Sequence, residues 1–421
     1  MRIHFVGISG VSMQALSVMA AARGHTVTGS DNNVNGHDPK NVEGCDLVVY
    51  TCAVPQSNCE LVRAKQLGIP VIERAKYLGE LSATYGKVIA IAGCHGKSTT
   101  TAMAGAALGA QFPTVHVGVA GGSHVGADKY FITEACEYKA NFLHLSPDVG
   151  VVLNVGYDHP DYYKTEQQLI DAYKCFCAKS KTVIVNGDDE VCRALFSRPV
   201  TFGLGKDCDY RAVDITNENG HRAFTLTGKK QARVRLSVAG AHNVYNALAT
   251  IAAASECGIK LTDILPRLSK FTGIARRFER KGIAFGKTVF TDYAHHPAEI
   301  AATIKTAKEI FPSVTVVFQP HTYSRTQSLM DDFACALSAA DTVILAPIFS
   351  ARENPIDGVT SHALCRRIIE QQHKEKAYCF DTFSEITEHT KTVRDKAVIF
   401  MGAGDINAAA DLFIAADDYM P

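Results

Sequence analysis

Short apolar, β-branched runs alternate along the chain with Ala-rich stretches of helical spacing, the alternation that specifies a mostly parallel sheet covered by helices. In a first block, about residues 1–85, positions 3–6, 26–29 and 47–51 read as strands, and a helix runs from near Val11 to Gly24. In a second, about 86–275, strands are expected at 87–92, 131–134, 149–155 and 183–186. In a third, about 276–421, they are expected at 289–292, 314–318, 343–346 and 398–401, with helices between them. Turns at Tyr85-Gly86 and Gly273 mark the joints. The pattern therefore predicts the α/β class, and 421 residues at ~100–200 per domain fit three domains. No internal repeat, low-complexity tract or long polar linker interrupts it.

Composition narrows the partners. Lys plus Arg and Asp plus Glu both number 43, so the formal net charge is zero and no general attraction to a polyanion exists, which argues against nucleic acid. Met1-Arg2 leads straight into strand-like sequence and no apolar run reaches spanning length, so a cytoplasmic protein without membrane insertion is expected. The 13 cysteines are odd in number and lack C-x-x-C pairs, which fits reduced thiols better than a disulfide framework or a zinc site.

The chemistry begins at Gly93-Cys94-His95-Gly96-Lys97-Ser98-Thr99, where an apolar strand ends on a glycine-lysine-serine turn and passes into a helix. Such a loop points backbone N–H groups at an anion held at the helix N-terminus. Lys97 would reach the terminal phosphates and the Ser98 hydroxyl would ligate Mg²⁺. Gly7-Ile8-Ser9-Gly10-Val11-Ser12 is a poorer dinucleotide fingerprint, since Ser9 and Ser12 replace glycines, but it can still hold a diphosphate. Asp31 after Ser30 stands where an acid commonly meets a ribose hydroxyl. Glu134 and Asp158-His159 end further apolar runs and would project from the same carboxyl edge as the phosphate loop. Carboxylate and imidazole suit metal ions there, whereas Glu137 with Lys139 reads as a solvated face. Near Asn243 and Asn246 a side-chain amide can read an adenine edge, with His242 beside it. Asp292, His295 and His296 follow one strand of the third block and Arg325 another, while Arg276 and Arg277 offer planar donor forks.

Taken in order, these segments resemble the Mur ligase family. The resemblance runs from Gly7-Ile8-Ser9-Gly10 and Gly29-Ser30-Asp31 through the 93–99 loop, Glu134 to Tyr138, Asn154 with Asp158-His159, and Gly240 to Asn243. It continues in Arg276-Arg277-Phe278, Asp292 to Pro297, Gln319-Pro320-His321 with Arg325, and Met401 to Ile406, covering nearly the whole chain. It implies three domains: a Rossmann-like N-terminal domain (1–85) for the UDP-sugar, a central P-loop ATPase domain (86–275), and a Rossmann-like C-terminal domain (276–421) that closes over nucleotide and amino acid. It further implies ATP and Mg²⁺ as cofactors, UDP-N-acetylmuramate and L-alanine as partners, an acyl-phosphate route to an amide in peptidoglycan precursor synthesis, and a monomer or homodimer.

Carried over by motif, Lys97, Glu134, His159, His296 and Arg325 are the catalytic set; His296 is taken as the amine's base because imidazole titrates near working pH. Ser98, Glu134 and His159 serve the metals. Gly93, Cys94, His95, Gly96, Lys97, Ser98, Thr99, His242, Asn243, Asn246, Arg276 and Asp292 serve the nucleotide. Gly7, Ser9, Gly10, Ser12, Ser30, Asp31, His37 and His295 serve the substrates. Several positions depart from the family's usual pattern, among them Gly156-Tyr157, which stands where an acid often precedes Asp-His. Cys94 and Ser98 occupy positions where threonine is commoner in the family, and the stretch from Asp31 to Asp46 is shorter than in relatives, which predicts a reduced first sheet. Two other readings stay open: a paralogue that joins another amino acid to another carboxylate, and a non-catalytic nucleotide-binding regulator.

Overall fold

A computed structural model describes residues 1–159, 162–218, 220–351, 353–372 and 375–418. Three sheets follow one another along the chain. The first is parallel and four-stranded, in the order Thr26–Ser30, Arg2–Val6, Leu47–Tyr50, Val71–Glu73. Between its second and third strands in sequence there is only a 3₁₀ turn, Pro39–Val42, capped by the Asp38 carboxylate. That is the short stretch noted above.

The second sheet has nine strands. Within it Lys87–Ala92 lies between Ala127–Glu134 and Val149–Val152, parallel to both. Five of the six residues in Lys87–Ala92 are buried, as expected for a parallel strand covered on both faces. Pro113–His116 forms one edge, and Thr182–Asn186, Val200–Gly203, Tyr210–Glu218, His221–Gly228 and Ala232–Ala239 extend the other side. The strand expected over 149–155 ends at Val152, because the chain leaves the sheet to form the loop carrying Asn154 and His159.

The third sheet is ordered Glu279–Ala284, Lys287–Asp292, Ala397–Met401, Val314–Phe318, Thr342–Leu345, Ala377–Cys379. Its first pair is an antiparallel hairpin with a bulge near Arg280, and the rest is parallel.

By packing, the chain forms two compact units. One comprises residues 1–215, 223–236 and 242–271; the other comprises 216–222, 237–241 and 272–421. The first two sheets belong to the same unit because they share a core: Phe5, Met13 and Leu16 pack in one cluster with Tyr77, Leu81, Phe131, Phe142 and Tyr173. Arg23 adds a guanidinium 4.2 Å over the Tyr85 ring and an ion pair with Asp128. The second unit has apolar layers on both faces of its sheet, one including Ile300, Phe318 and Phe333, the other Ile386, Phe400 and Phe413.

Candidate active site

The phosphate loop follows directly from the buried strand Lys87–Ala92. Gly93 and Gly96 both have positive φ, 142° and 86°, and a Cβ on Gly96 would stand 2.8 Å from the Asn246 side-chain oxygen. Only glycine combines that backbone with that approach. The neighbouring strand's extension fixes the loop from below. Asn154 accepts from the His95 N–H at 2.9 Å and donates to the His95 carbonyl at 3.0 Å. Cys94 Sγ lies 2.8 Å from the Gly156 carbonyl and 3.1 Å from its N–H, and burial pushes the thiol up to about 12. Ser98 and Thr99 begin the helix Lys97–Ala107, with Ser98 mostly buried. Asn243 and Asn246 are buried on the helix His242–Glu256, with the Asn246 amide donating to Asn243 at 2.8 Å; His242 is its first residue.

Lys97 turns back onto the loop, donating to the carbonyls of Gly93 and Cys94 and to Glu137 Oε1 at 3.0 Å. Glu137 is 2% exposed, and its Oε1 also lies 3.7 Å from His159 Nε2. Burial alone would raise the Glu137 carboxyl, but the Lys97 charge and His159 hold it below the ordinary value. Burial would likewise lower Lys97, and Glu137 keeps it raised. Glu137 is therefore part of the site and not the solvated face expected from sequence. Its other oxygen, Oε2, is buried without a hydrogen-bond partner among the described residues. His159, at positive φ, packs on the Tyr138 ring. Glu134 ends its strand opposite Ile91 and accepts from the Gly118 N–H at 2.6 Å.

This donor set fits a magnesium nucleotide. A glycine cradle, a buried ammonium, a serine hydroxyl and an unpartnered carboxylate oxygen suit phosphates and a hard cation. Among the described residues no three His, Cys, Asp or Glu side chains converge as a self-sufficient metal site. Ligands from phosphate oxygens would be needed to complete one.

In the first sheet, Gly7 and Gly10 form a turn that Asp31 secures by accepting from the Ser9 N–H at 3.0 Å. Ser12 lies in the first turn of the helix Val11–Ala22. Ser30 is fully buried and donates to Glu60 Oε2 at 2.7 Å, so it supports this edge from beneath. His37 Nδ1 is 2.8 Å from the same oxygen, and Asn41 donates to the other. Burial opposes ionisation of Glu60, but His4, Asn41, Ser30 and His37 outweigh it and bring its carboxyl down to about 2.

The second unit holds its own polar cluster. Asp292 is buried, accepting from the N–H groups of Phe278 and Ala294, both at 2.7 Å, and burial raises its carboxyl to about 6. Arg276 lies over the Tyr293 ring and donates to the carbonyls of Gly402 and Gly404 at 2.7 and 3.1 Å, so its guanidinium ties strand ends of this sheet together. His295 Nδ1 sits 3.0 Å from the Tyr293 carbonyl and 3.5 Å from Glu299. His296 caps the helix Pro297–Lys308, its Nδ1 accepting from the Ala298 N–H at 3.4 Å. The His321 ring is 6.1 Å from that of His295, and burial with the charges of His295 and Arg325 brings it down to about 4. His321 was not among the expected site residues, although it stands in the Gln319-Pro320-His321 motif.

Family models match along almost the whole chain: Mur ligase family, catalytic domain, over 2–85; Mur ligase middle domain over 91–254; and Mur ligase, glutamate ligase domain, over 276–404. The UDP-N-acetylmuramate–L-alanine ligase of Acetivibrio thermocellus is 38% identical over 98% of this chain and 95% of its own length. That of Caldanaerobacter subterraneus is 39% identical over 98% and 97%. Among solved structures, the UDP-N-acetylmuramate-alanine ligase of Thermotoga maritima superposes with a TM-score of 0.85 at 28% identity, covering 99% of both chains. A murein peptide ligase from Psychrobacter arcticus shares the fold with a TM-score of 0.71 at 23% identity, covering 100% of this chain and 99% of that one. Three family models in sequence order, together with these full-length relatives, show that the chain belongs to the Mur ligase family.

Proposed function

We propose that this chain is an ATP-dependent ligase that joins L-alanine to the carboxylate of UDP-N-acetylmuramate in peptidoglycan precursor synthesis. What supports the reading is a phosphate loop, Glu134 and the Lys97–Glu137–His159 chain on one sheet edge, in a sequence 38–39% identical over 98% of its length to ligases of that name.

A carboxylate resists attack by an amine, so the muramoyl carboxylate oxygen first takes the γ-phosphoryl group of ATP, and ADP leaves. Lys97 and the loop N–H groups hold the phosphates and spread the developing charge. Ser98, Glu134 and His159 would hold Mg²⁺, which would further neutralise phosphate charge. The deprotonated amine of L-alanine then attacks the acyl carbon, the carbon–oxygen bond to phosphate breaks, and inorganic phosphate departs. Asn243 and Asn246 serve the adenine side, and the Gly7–Gly10 turn with Ser9, Ser12, Asp31 and His37 serves the sugar nucleotide. In the second unit, His295, His296 and Arg325 serve the amino acid and the departing phosphate. His296 is kept as the base, since imidazole is the side chain whose ordinary protonation range lies near working pH.

Phosphate release measured with a panel of UDP-sugars and amino acids tests the reading. Release only with UDP-N-acetylmuramate plus L-alanine is expected. Release with another pair, or with none, overturns it in favour of a paralogous ligase or a nucleotide-binding regulator.

A further inference from the structure

A fully assignable line of hydrogen bonds crosses from the first sheet to the second within the first unit. Arg74 Nη1 donates to Ser12 Oγ at 3.2 Å, Ser12 Oγ lies 2.8 Å from His116 Nε2, and His116 Nδ1 lies 3.0 Å from Thr133 Oγ1. Thr133 Oγ1 in turn donates to the Glu134 carbonyl at 3.0 Å. Proton positions follow from either end. A carbonyl only accepts, so the Thr133 hydroxyl proton is committed to Glu134, and Thr133 must accept from His116 Nδ1–H. A guanidinium only donates, so Ser12 accepts from Arg74 and gives its own proton to His116 Nε2. Both requirements are met by one tautomer of a neutral imidazole. His116 is 3% exposed, and burial together with the Arg74 charge lowers it to about 3, which keeps it neutral in ordinary buffers.

Ser12 lies in the first turn of the helix that follows Arg2–Val6, and Arg74 begins the helix that follows Val71–Glu73, so both stand at the carboxyl edge of the first sheet. His116 is the last residue of the edge strand of the second sheet, and Thr133 immediately precedes Glu134. Arg74 has no ion-pair partner among the described residues. We propose that His116 is a positioning residue for the sugar nucleotide: by holding Ser12 it fixes the first helical turn and the Arg74 guanidinium in register with the strand that carries Glu134. Arg74, directed by Ser12, offers its remaining N–H groups to an anionic part of that substrate. The proposal rests on the sugar-nucleotide reading given above.

The test uses the full chain, with UDP-N-acetylmuramate titrated at saturating ATP and L-alanine, then ATP titrated in turn. His116→Asn keeps a donor for Thr133 but removes the acceptor for Ser12, and is expected to raise KM for the sugar nucleotide about tenfold while KM for ATP moves less than about twofold. His116→Gln keeps an acceptor near the Nε2 position and should restore most of that KM. Ser12→Ala should match His116→Asn, and the double variant should be no worse than either alone. Equal rises in every KM, identical behaviour of Asn and Gln, or additive effects would overturn the proposal. Should His116→Asn fail to fold, an unchanged sugar-nucleotide KM in Ser12→Ala overturns it alone. Unmodified protein that turns over a different UDP-sugar overturns the functional reading instead, and the same KM ratios are then read with that sugar.

Discussion

Lys97 Nζ and Glu137 Oε1 are 3.0 Å apart, an ion pair in which the carboxylate is 2% exposed and the ammonium side chain 15%. The lysine expected to meet phosphate is thus held by an acid that also lies beside His159. A phosphate group arriving at the loop can replace Glu137 as the lysine's counter-charge, leaving Glu137 to His159.

Removing Lys97 should therefore act twice. Lys97→Ala is expected to lose ligation by about 10³-fold or more through loss of phosphate charge stabilisation. It should also lower stability by about 3–5 kcal/mol, because Glu137 is left buried without its cation. Adding Glu137→Gln should recover most of the melting temperature and none of the turnover. Thermal unfolding and phosphate release on the single and double variants check both halves.

Glu134→Gln separates charge from shape. The glutamine oxygen can still accept from the Gly118 N–H, so the strand end stays in place while the anionic ligand is lost. The Mg²⁺ concentration for half-maximal rate should rise about tenfold or more. An unchanged Mg²⁺ titration removes Glu134 from the metal site.

Asn154→Ala tests the brace beneath the loop. Two hydrogen bonds to the His95 backbone disappear, at a cost of about 1–3 kcal/mol. KM for ATP should rise severalfold, with a smaller effect on KM for the amino acid, as read from steady-state kinetics.

Glu60 makes the first unit acid-sensitive. Its carboxyl lies near 2 in the folded chain against an ordinary 4.5, so the unfolded chain takes up the proton first as the pH falls. The stabilisation, about 3 kcal/mol, is present above pH 4.5 and is lost as the pH falls from there towards 2. Urea unfolding across that window should show the loss, and Glu60→Gln should flatten the slope.

The long buried strands were legible because their apolar runs are continuous. Positions 87–92 and 314–318 coincide with strands in the structure, and most others are right to within a residue or a few. Val71–Glu73 and Pro113–His116 are too short to show a period, and the latter opens with proline. Ala232–Ala239 carries a two-residue alternation of Arg and aliphatic side chains, the period of a half-buried strand. At the site, the phosphate loop was readable because glycine, lysine and serine each answer a local demand. Glu137 was not. Its burial comes from distant chain, including the Tyr163 hydroxyl that donates to its carbonyl at 2.7 Å, and no pattern around Tyr138 and Lys139 announces it. The same holds for His116, whose two partners come from Ser12 and Thr133.

Because the sulfur of Cys94 is seated against Gly156 and kept protonated, alkylating reagents near neutral pH should spare the nucleotide loop. The exposed thiols are Cys52, Cys175 and Cys335, one after a strand of the first sheet, one on a helix beside the second and one on a helix beside the third. Each sheet-bearing block thus carries its own accessible attachment point for a fluorophore or spin label, so motions during turnover can be followed without first engineering the native cysteines away.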